Sequence, residues 1–161
     1  VQAALTGHLV LSTVHTNDAV GAITRLRDMK VGPFLIASTL RAVVAQRLVR
    51  RLCAECRTPV TASGSLAAAL GLAPGTIVYE PRGCPSCSNS GYKGRVGLFE
   101  AVRVDEEIRR LINGGAEETA IVAHAFQRQD TLAAAARRLV EAGMTSPEEA
   151  VRVSRHEAAD A

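Results

Sequence analysis

The sequence predicts an α/β protein with a small metal-binding subdomain and a helical C-terminal segment. A short aliphatic and β-branched run, His8–Val14, is followed at once by helix-capping residues, as at the end of a strand in an α/β sheet. All four cysteines form two Cys-x-x-Cys pairs. Beyond about residue 105 the apolar residues recur at helical spacing and no further strand pattern occurs.

The composition excludes several functional classes. Hydrophobic residues make up 47% and charged residues 22% of the 161 positions, which is typical of a globular protein. The net charge of +3, with 3% aromatic residues and no Trp, argues against nucleic acid as a partner. No apolar run approaches the ~20 residues of a membrane span, and no secretory signal precedes the first strand. We therefore expect a soluble protein in the reducing cytoplasm.

The first third of the chain predicts one strand and two helices before a second strand. Val1–Leu5 has the pattern of the last turns of a helix that begins earlier, which suggests a fragment of a longer protein. The run His8–Val14 predicts a buried strand, and Ala19–Lys30 a helix with its apolar residues on one face. Pro33–Val44 follows Gly32 and predicts a second helix. The next run, Gln46–Leu52, fits an extension of that helix or a strand, and a strand is favoured because it must deliver Cys53 to a metal.

The remainder predicts short elements and then helices. Between the cysteine pairs we expect a helix at Leu66–Leu70 and a strand at Thr76–Tyr79, and a loop after the second pair at Ser88–Gly94. Arg95–Val104 alternates as a strand does. Four helices and a frayed tail are predicted after it. Asp105 caps the first helix, and a capping box at Ser146 opens the last. The predicted helices are Glu106–Ile112, Glu117–Arg128, Thr131–Ala142 and Pro147–Val153, and the tail is His156–Ala161.

The cysteines predict a structural zinc site. Two Cys-x-x-Cys turns, separated by 27 residues, supply the four sulfurs of a closed tetrahedral site with no open position for water. The alternatives are two disulfides, which belong to oxidising compartments, or four unrelated thiols. We expect a chelator to unfold the region from Cys53 to Cys87. The predicted ligands are Cys53, Cys56, Cys84 and Cys87.

His15 is the candidate catalytic residue because it directly follows the first predicted strand. Ligands of open α/β sheets collect at the carboxyl ends of strands, beside helix N-termini, so a phosphate is the expected ligand. Thr16 and Asn17 could support it. The alternative is a helix-capping turn next to an ordinary histidine. His8, at the other end of the strand, fits a packing or edge histidine, and neither His124 nor His156 has a partner pattern.

A phosphate-binding loop is missing from the sequence. Lys30 follows Met29 and Lys93 follows Tyr92, so neither lysine completes the G-x-x-x-x-G-K-[ST] pattern of a Walker A loop. Arginines near the first cysteine pair, such as Arg47, Arg50 and Arg51, are better explained as solvated or ion-paired residues.

Several motifs together resemble one family. The stretch Thr6–Ala19 resembles the histidine box of the secretion ATPases that drive type II secretion and type IV pilus assembly. The resemblance covers nearly the whole chain and is closest to the type II secretion ATPase E branch and its pilus assembly relatives. Further matching segments are Ala22–Leu26, Pro33–Ser38, Ala45–Cys53, the four cysteines, Gly94–Gly97, Phe99–Glu100 and Gly143–Glu149.

This resemblance implies an ATP-driven homo-hexameric motor, cytoplasmic and peripheral to the inner membrane, that works with inner-membrane platform proteins. It implies the C-terminal portion of a RecA-like P-loop ATPase core with a tetracysteine zinc subdomain and a C-terminal helical segment. By that resemblance His15 senses or polarises the γ-phosphate of ATP bound with Mg²⁺, and His8 is the second histidine of the box. The implied domains are residues 1–52 (core), 53–98 (zinc subdomain) and 99–161 (strand and helices).

One departure limits the resemblance. The family's Walker A lysine, aspartate box and Walker B glutamate would all lie upstream of this chain, and positioning with charge neutralisation carries most of phosphoryl transfer. We therefore expect that this chain alone does not hydrolyse ATP. The alternative is a stand-alone zinc-stabilised module that binds protein partners without nucleotide chemistry.

Overall fold

A computed structural model of the chain describes residues 1–158, with side chains described for residues 1–153. Helices and strands are mixed along the chain. The helices are α1 (Gln2–Leu5), α2 (Gly21–Asp28), α3 (Pro33–Thr39), α4 (Gly64–Leu70), α5 (Glu106–Asn113), α6 (Glu118–Ala125), α7 (Leu132–Glu141) and α8 (Pro147–Ala158). The strands are β1 (Ala42–Leu52), β2 (Thr58–Thr61), β3 (Ile77–Glu80) and β4 (Tyr92–Arg103), and a 3-10 turn covers Pro85–Cys87.

The chain divides into two compact units. The first unit contains Val1–Ala45 and Glu100–Asp130, and the second contains Gln46–Phe99 and Thr131–Ala161. Because β1 and β4 pair with each other, each unit holds part of both strands. The predicted domains 1–52, 53–98 and 99–161 describe segments of sequence, and they stay a prediction.

The first unit has a core of aliphatic side chains from α2, α3, α5, α6 and the end of β4. These residues recur at three- and four-residue spacing within the helices, so each helix buries one face. Asp105 caps α5 as predicted, because its Oδ1 accepts a hydrogen bond from the Ile108 amide at 2.8 Å. The buried core residues are Ala19, Val20, Ile23, Ile36, Ala37, Val102, Val104, Ile108, Ile112 and Ile121.

The predicted strand His8–Val14 is wrong for this structure. Residues 8–16 have no regular secondary structure, and Leu9 and Leu11 are 87% and 90% exposed. A strand forms only where a neighbour accepts and donates its backbone hydrogen bonds. Among the described residues the strand pairs are β1 with β4 and β2 with β3, so this run has no partner.

The predicted helix Pro33–Val44 is correct only over its first half. It ends at Thr39, and the backbone is extended at Leu40, where ψ is 128°. The β-branched pair Val43 and Val44 favours a strand, and β1 begins at Ala42. The strand that was favoured for Gln46–Leu52 is confirmed as the second part of β1.

The second unit combines a two-stranded antiparallel ladder, β2 with β3, with α4, α7 and α8. Thr58 pairs with Glu80 and Thr61 pairs with Ile77 at the ends of the ladder. The turn between α7 and α8 requires glycine at position 143: its φ is +64°, and a Cβ there would lie 2.6 Å from the Tyr79 ring. The predicted helix at Leu66–Leu70 and strand at Thr76–Tyr79 are confirmed, with small shifts at their ends.

The helices predicted beyond residue 105 are all present, and one differs in its capping. Ser146 caps α8 through its Oγ, which accepts from the Glu149 amide at 3.4 Å, but the Glu149 carboxylate turns to Arg50 instead of completing the box. The tail predicted at His156–Ala161 begins inside α8, and its last three residues lie outside the described range. Within residues 1–158 no helix is long and apolar enough to cross a membrane.

Candidate metal centre and histidine segment

The four cysteines converge as a metal site requires. Their sulfurs all lie within 4.8 Å of one another, and the Cys53–Cys84, Cys56–Cys87 and Cys84–Cys87 pairs are separated by 3.9, 3.8 and 3.8 Å. Sulfurs bound at ~2.3 Å to a tetrahedral zinc lie about 3.8 Å apart. A disulfide would bring two of them to ~2.05 Å, and all four thiols are free. The residues therefore fit a zinc ion.

Each cysteine pair is carried by a tight turn that the backbone holds in place. In the first, which follows β1, the amides of Cys56 and Arg57 donate to the Cys53 carbonyl at 3.3 and 3.0 Å. In the second, the 3-10 turn returns on itself because the Asn89 amide donates to the Cys84 carbonyl at 2.9 Å. The Cys53 amide also donates to the Gly91 carbonyl at 2.9 Å, so the two turns are tied together.

The surroundings of the sulfurs shift the pKa values of Cys87 and Cys56 in opposite directions. Burial raises the pKa of Cys87, but its Sγ accepts hydrogen bonds from the amides of Cys84 and Gly91 at 3.2 Å each, and these donors together with the neighbouring thiols lower that pKa to about 6. Burial and the adjacent thiols raise the pKa of Cys56 to about 11. A metal needs deprotonated sulfur, and the two amide donors at Cys87 favour its thiolate form.

The two predicted histidines lie in the segment His8–Asp18, called here the histidine segment. His8 is exposed, and its Nδ1 lies 2.9 Å from Thr6 Oγ1 and 3.2 Å from the Ala3 carbonyl oxygen, so its contacts are with α1 and the turn after it. His15 is exposed as well. Both imidazoles are therefore open to solvent rather than enclosed in a buried polar site.

The predicted supporting residues follow His15 at the entrance to α2. Thr16 donates its hydroxyl hydrogen to the Asp18 carbonyl at 3.0 Å, and Thr16 and Asn17 are both half-buried. A cavity of about 410 Å³ in the first unit is lined in part by Thr16 and Asp18. That volume lies in the range of small-molecule sites, although His8, His15 and Asn17 do not line it.

Two backbone amides at the start of α2 are already paired with carboxylates. The Gly21 amide donates to Asp18 Oδ1 at 2.6 Å, and the Ala19 amide donates to Glu100 Oε1 at 2.9 Å. A phosphate placed at this helix N-terminus would have to displace them. The exposed imidazole of His15, rather than these amides, is therefore the group that a ligand could contact here without displacing a hydrogen bond of either amide.

Glu100 is the functional candidate that the residue-by-residue interpretation did not single out. It is only 2% exposed, although a carboxylate is rarely buried without a specific partner. The sequence indicates this burial through position. Residues 100, 102 and 104 alternate along the strand and so share one face, and Val102 and Val104 are 1% and 2% exposed. An acid on the inward face of an alternating strand indicates a buried hydrogen-bonding role.

Arg50, interpreted from sequence as a solvated or paired residue, is paired. Its backbone amide and its Nε donate to the Glu149 carboxylate at 2.8 and 3.0 Å, and its guanidinium lies 4.0 Å from the Tyr92 ring centroid. Burial raises the pKa of Glu149, but the Arg50 hydrogen bonds and the charges of Arg152 and Arg50 hold that pKa below its usual value. The cluster fastens α8 to β1 within the second unit.

The known proteins that this chain resembles over nearly its whole length are type II secretion system proteins. The family profile described as "Type II/IV secretion system protein" matches residues 1–152. The chain is 47% identical over 161 residues to the type II secretion system protein E of Klebsiella pneumoniae, covering all of this chain and 32% of that protein. It is 46% identical over 158 residues to the type II secretion system ATPase E of Vibrio cholerae, covering 96% of this chain and 31% of that protein.

The chain thus spans about a third of the length of the curated relatives it matches. Among solved structures, it is similar to the X-ray structure of the Legionella pneumophila ATPase DotB, with a TM-score of 0.61 and 20% sequence identity. That match covers 96% of this chain and 34% of the other. At this identity it shows a shared α/β fold and nothing about activity.

Proposed function

Because the chain belongs to the type II/IV secretion system protein family, we propose that it is part of an ATP-hydrolysing motor that powers type II protein secretion. The observation that carries the proposal is the 46–47% identity over nearly the whole chain to type II secretion proteins E, one of which is named an ATPase. Type IV pilus assembly is the related process that the resemblance leaves open.

Within such a motor, the chain contributes the histidine segment to a nucleotide site. His15 would donate a hydrogen bond to the γ-phosphate of ATP, and Thr16 and Asn17 would support that contact. His8 would act as the second histidine of the site. Phosphoryl transfer depends on positioning and on neutralising the developing charge, and an exposed imidazole at a helix entrance can supply one such contact.

The rest of the nucleotide site would come from elsewhere in a full-length protein. Mg²⁺ bound with ATP supplies charge neutralisation, but the carboxylates of Asp18 and Glu100 are committed to backbone amides. We therefore propose that this chain is about a third of the motor, and that the phosphate loop and metal-binding acids belong to another part of it. The segments 1–52, 53–98 and 99–161 are proposed as core, zinc subdomain and helical segment.

The proposed quaternary arrangement and partners are inferred from the family resemblance. We propose a homo-hexamer on the cytoplasmic face of the inner membrane, where the second unit would meet platform proteins of the secretion machine. The zinc ion is proposed as a structural element of that unit, since four thiolates leave no open coordination position.

An interaction module without nucleotide hydrolysis is the second candidate function. It is favoured by the contrast between the completed cysteine cluster and the histidine segment, whose leucines are exposed. In that case the second unit would bind its partner with the same affinity whether or not His15 is intact.

ATP turnover by the full-length protein that carries this chain separates the two candidates. We expect His15→Ala to lower kcat by about 10²–10³-fold, the usual cost of removing a donor to developing charge. His124→Ala makes the same chemical change at a histidine bound to Asp105 and should leave kcat within about twofold of the starting protein. Unchanged turnover in His15→Ala would reject the role proposed for the histidine segment. The 161-residue chain alone should not hydrolyse ATP.

A further inference from the structure

Glu100 is a buried carboxylate that accepts a hydrogen bond from a residue far away in sequence. Its Oε1 accepts the hydrogen bond of the Ala19 amide across 81 positions, within the first unit. Removing a carboxylate from water is costly unless hydrogen bonds compensate for it. The backbone donor that it satisfies is therefore the feature to explain.

That donor belongs to the turn that connects the histidine segment to α2. Ala19 is completely buried. Directly before it, Asp18 accepts the Gly21 amide through its side chain and the Thr16 hydroxyl through its carbonyl, at 2.6 and 3.0 Å. These bonds close the turn on itself, and the bond to Glu100 fixes the closed turn to β4. His15 is the residue next to it in the chain.

The far end of α2 is held by other contacts. Thr24 donates to Glu118 Oε2 at 2.5 Å, and the Arg27 guanidinium donates to the carbonyls of Ala116 and Ile112 at 2.8 and 3.2 Å. These contacts position the helix body against α5 and α6. Glu100 acts at the opposite end, the one that His15 precedes, so its loss would free the turn while leaving the helix in place.

We propose that Glu100 is a positioning residue for His15: it fixes the turn at Ala19 and thereby the place from which the imidazole meets its ligand. The proposal rests on the proposed role of His15 in ATP hydrolysis. Glu100 does not touch the nucleotide in this account. An apolar residue of similar volume would fill the same space and leave the Ala19 amide without the Glu100 acceptor. Such a substitution therefore removes the hydrogen bond while keeping the packing.

Two substitutions separate hydrogen bonding from packing. Glu100→Gln keeps an acceptor oxygen, and Glu100→Leu removes it. In the 161-residue chain, Glu100→Leu should speed hydrogen exchange at the Ala19 amide by about tenfold or more, as expected for the loss of one buried hydrogen bond, and should shift the NMR resonances of the His15 ring. In the full-length protein it should lower kcat by about 10–100-fold, the scale expected for a misplaced catalytic group, with KM changed by less than about threefold.

Glu149 provides a matched control in the other unit. It is also 2% exposed and also accepts a backbone amide, that of Arg50 at 2.8 Å. Glu149→Gln should lower stability while leaving the His15 resonances and kcat within about twofold of their starting values. Glu100→Gln should retain most of the activity that Glu100→Leu loses.

The outcomes distinguish this proposal from the one it rests on. Unchanged Ala19 exchange and unchanged His15 resonances in Glu100→Leu would overturn it, as would equal shifts in Glu149→Gln. If Glu100→Leu does not fold, Glu100→Met, an unbranched side chain that also lacks the acceptor oxygen, decides: faster Ala19 exchange with shifted His15 resonances supports the proposal, and wild-type behaviour at both rejects it. If His15→Ala leaves turnover unchanged, the function proposed for His15 fails, while the exchange and resonance data still show whether Glu100 positions it.

Discussion

The cysteine cluster and the histidine segment differ in how much of their surroundings the chain itself supplies. The four sulfurs are within 4.8 Å of one another and are held by backbone hydrogen bonds from residues of the same unit. The histidine segment lies beside an anchored turn, but His8, His15, Leu9 and Leu11 are exposed. A closed metal site can be encoded in one subdomain, whereas the nucleotide site proposed for the histidine segment would need residues from other parts of a longer protein.

Breaking the cysteine cluster should give the largest effect. Zinc binding in small zinc peptides is worth ~10–16 kcal/mol at neutral pH, so Cys84→Ser or a strong chelator should unfold the region from Cys53 to Cys87. Circular dichroism with thermal unfolding measures the loss. Ser86→Ala changes a neighbouring exposed side chain that bonds to Glu55, and it should shift Tm by no more than about 2 °C.

A chelated protein that kept the thermal transition of the untreated protein would contradict a metal-dependent fold. The Cys84→Ser variant checks the same point without chelator, since serine keeps the size of the side chain and removes the thiolate ligand.

Truncating a buried leucine should have an intermediate effect on stability, and Leu98 and Leu11 provide the comparison. Leu98 is 1% exposed and Leu11 is 90% exposed. Leu98→Ala should lower the free energy of unfolding by ~2–5 kcal/mol, because it leaves a cavity. Leu11→Ala makes the same change on the surface and should alter it by less than ~0.5 kcal/mol.

Urea unfolding of the 161-residue chain provides both values. A large loss for Leu11→Ala would mean that the run His8–Val14 is buried in solution, as the sequence pattern predicted, and that the contrast between the two regions is weaker than the structure indicates.

The smallest effect concerns the pH dependence of the second unit. The folded-state pKa of Glu149 lies below its ordinary value, so its contribution to stability is complete above about pH 4.5 and is lost as the pH falls through the folded pKa. Glu149→Gln should be less stable by about 1–3 kcal/mol at pH 7, and the two proteins should converge in stability as the solution is acidified.

Urea unfolding between pH 3 and pH 7 tests this difference. Asp105 and Glu107 also have lowered pKa values, but they are present in both proteins and cancel in the comparison. A constant gap between the two proteins across the whole range would show that Glu149 acts through packing and not through its charge.

The sequence predicted what depends on neighbours in the chain. Helical spacing and caps placed α2 and α4 to α7, and the cysteine spacing predicted the convergence of the four sulfurs. It failed where a distant partner decides the outcome. The run His8–Val14 has strand composition but no strand beside it, and the extended backbone at Leu40 overrode the helical pattern of Pro33–Val44.

The same reason explains the side-chain contacts that the pattern did not reveal. Glu100 meets Ala19 across 81 positions, and Arg50 meets Glu149 across 99. The sequence pattern predicts a local capping box between Ser146 and Glu149, but the Glu149 carboxylate hydrogen-bonds to the distant Arg50 instead. Alternation along β4 marks position 100 as inward-facing, but it does not show which amide needs the carboxylate.

The metal content of the natively purified chain tests the central contrast most directly. We expect about one tightly bound zinc per chain, as a closed four-thiolate site requires, with all four cysteines protected from alkylation until a chelator is added. Less than about half an equivalent of zinc, with the thiols freely alkylated or oxidised to disulfides, would contradict a structural zinc site. The second unit would then owe its order to packing alone.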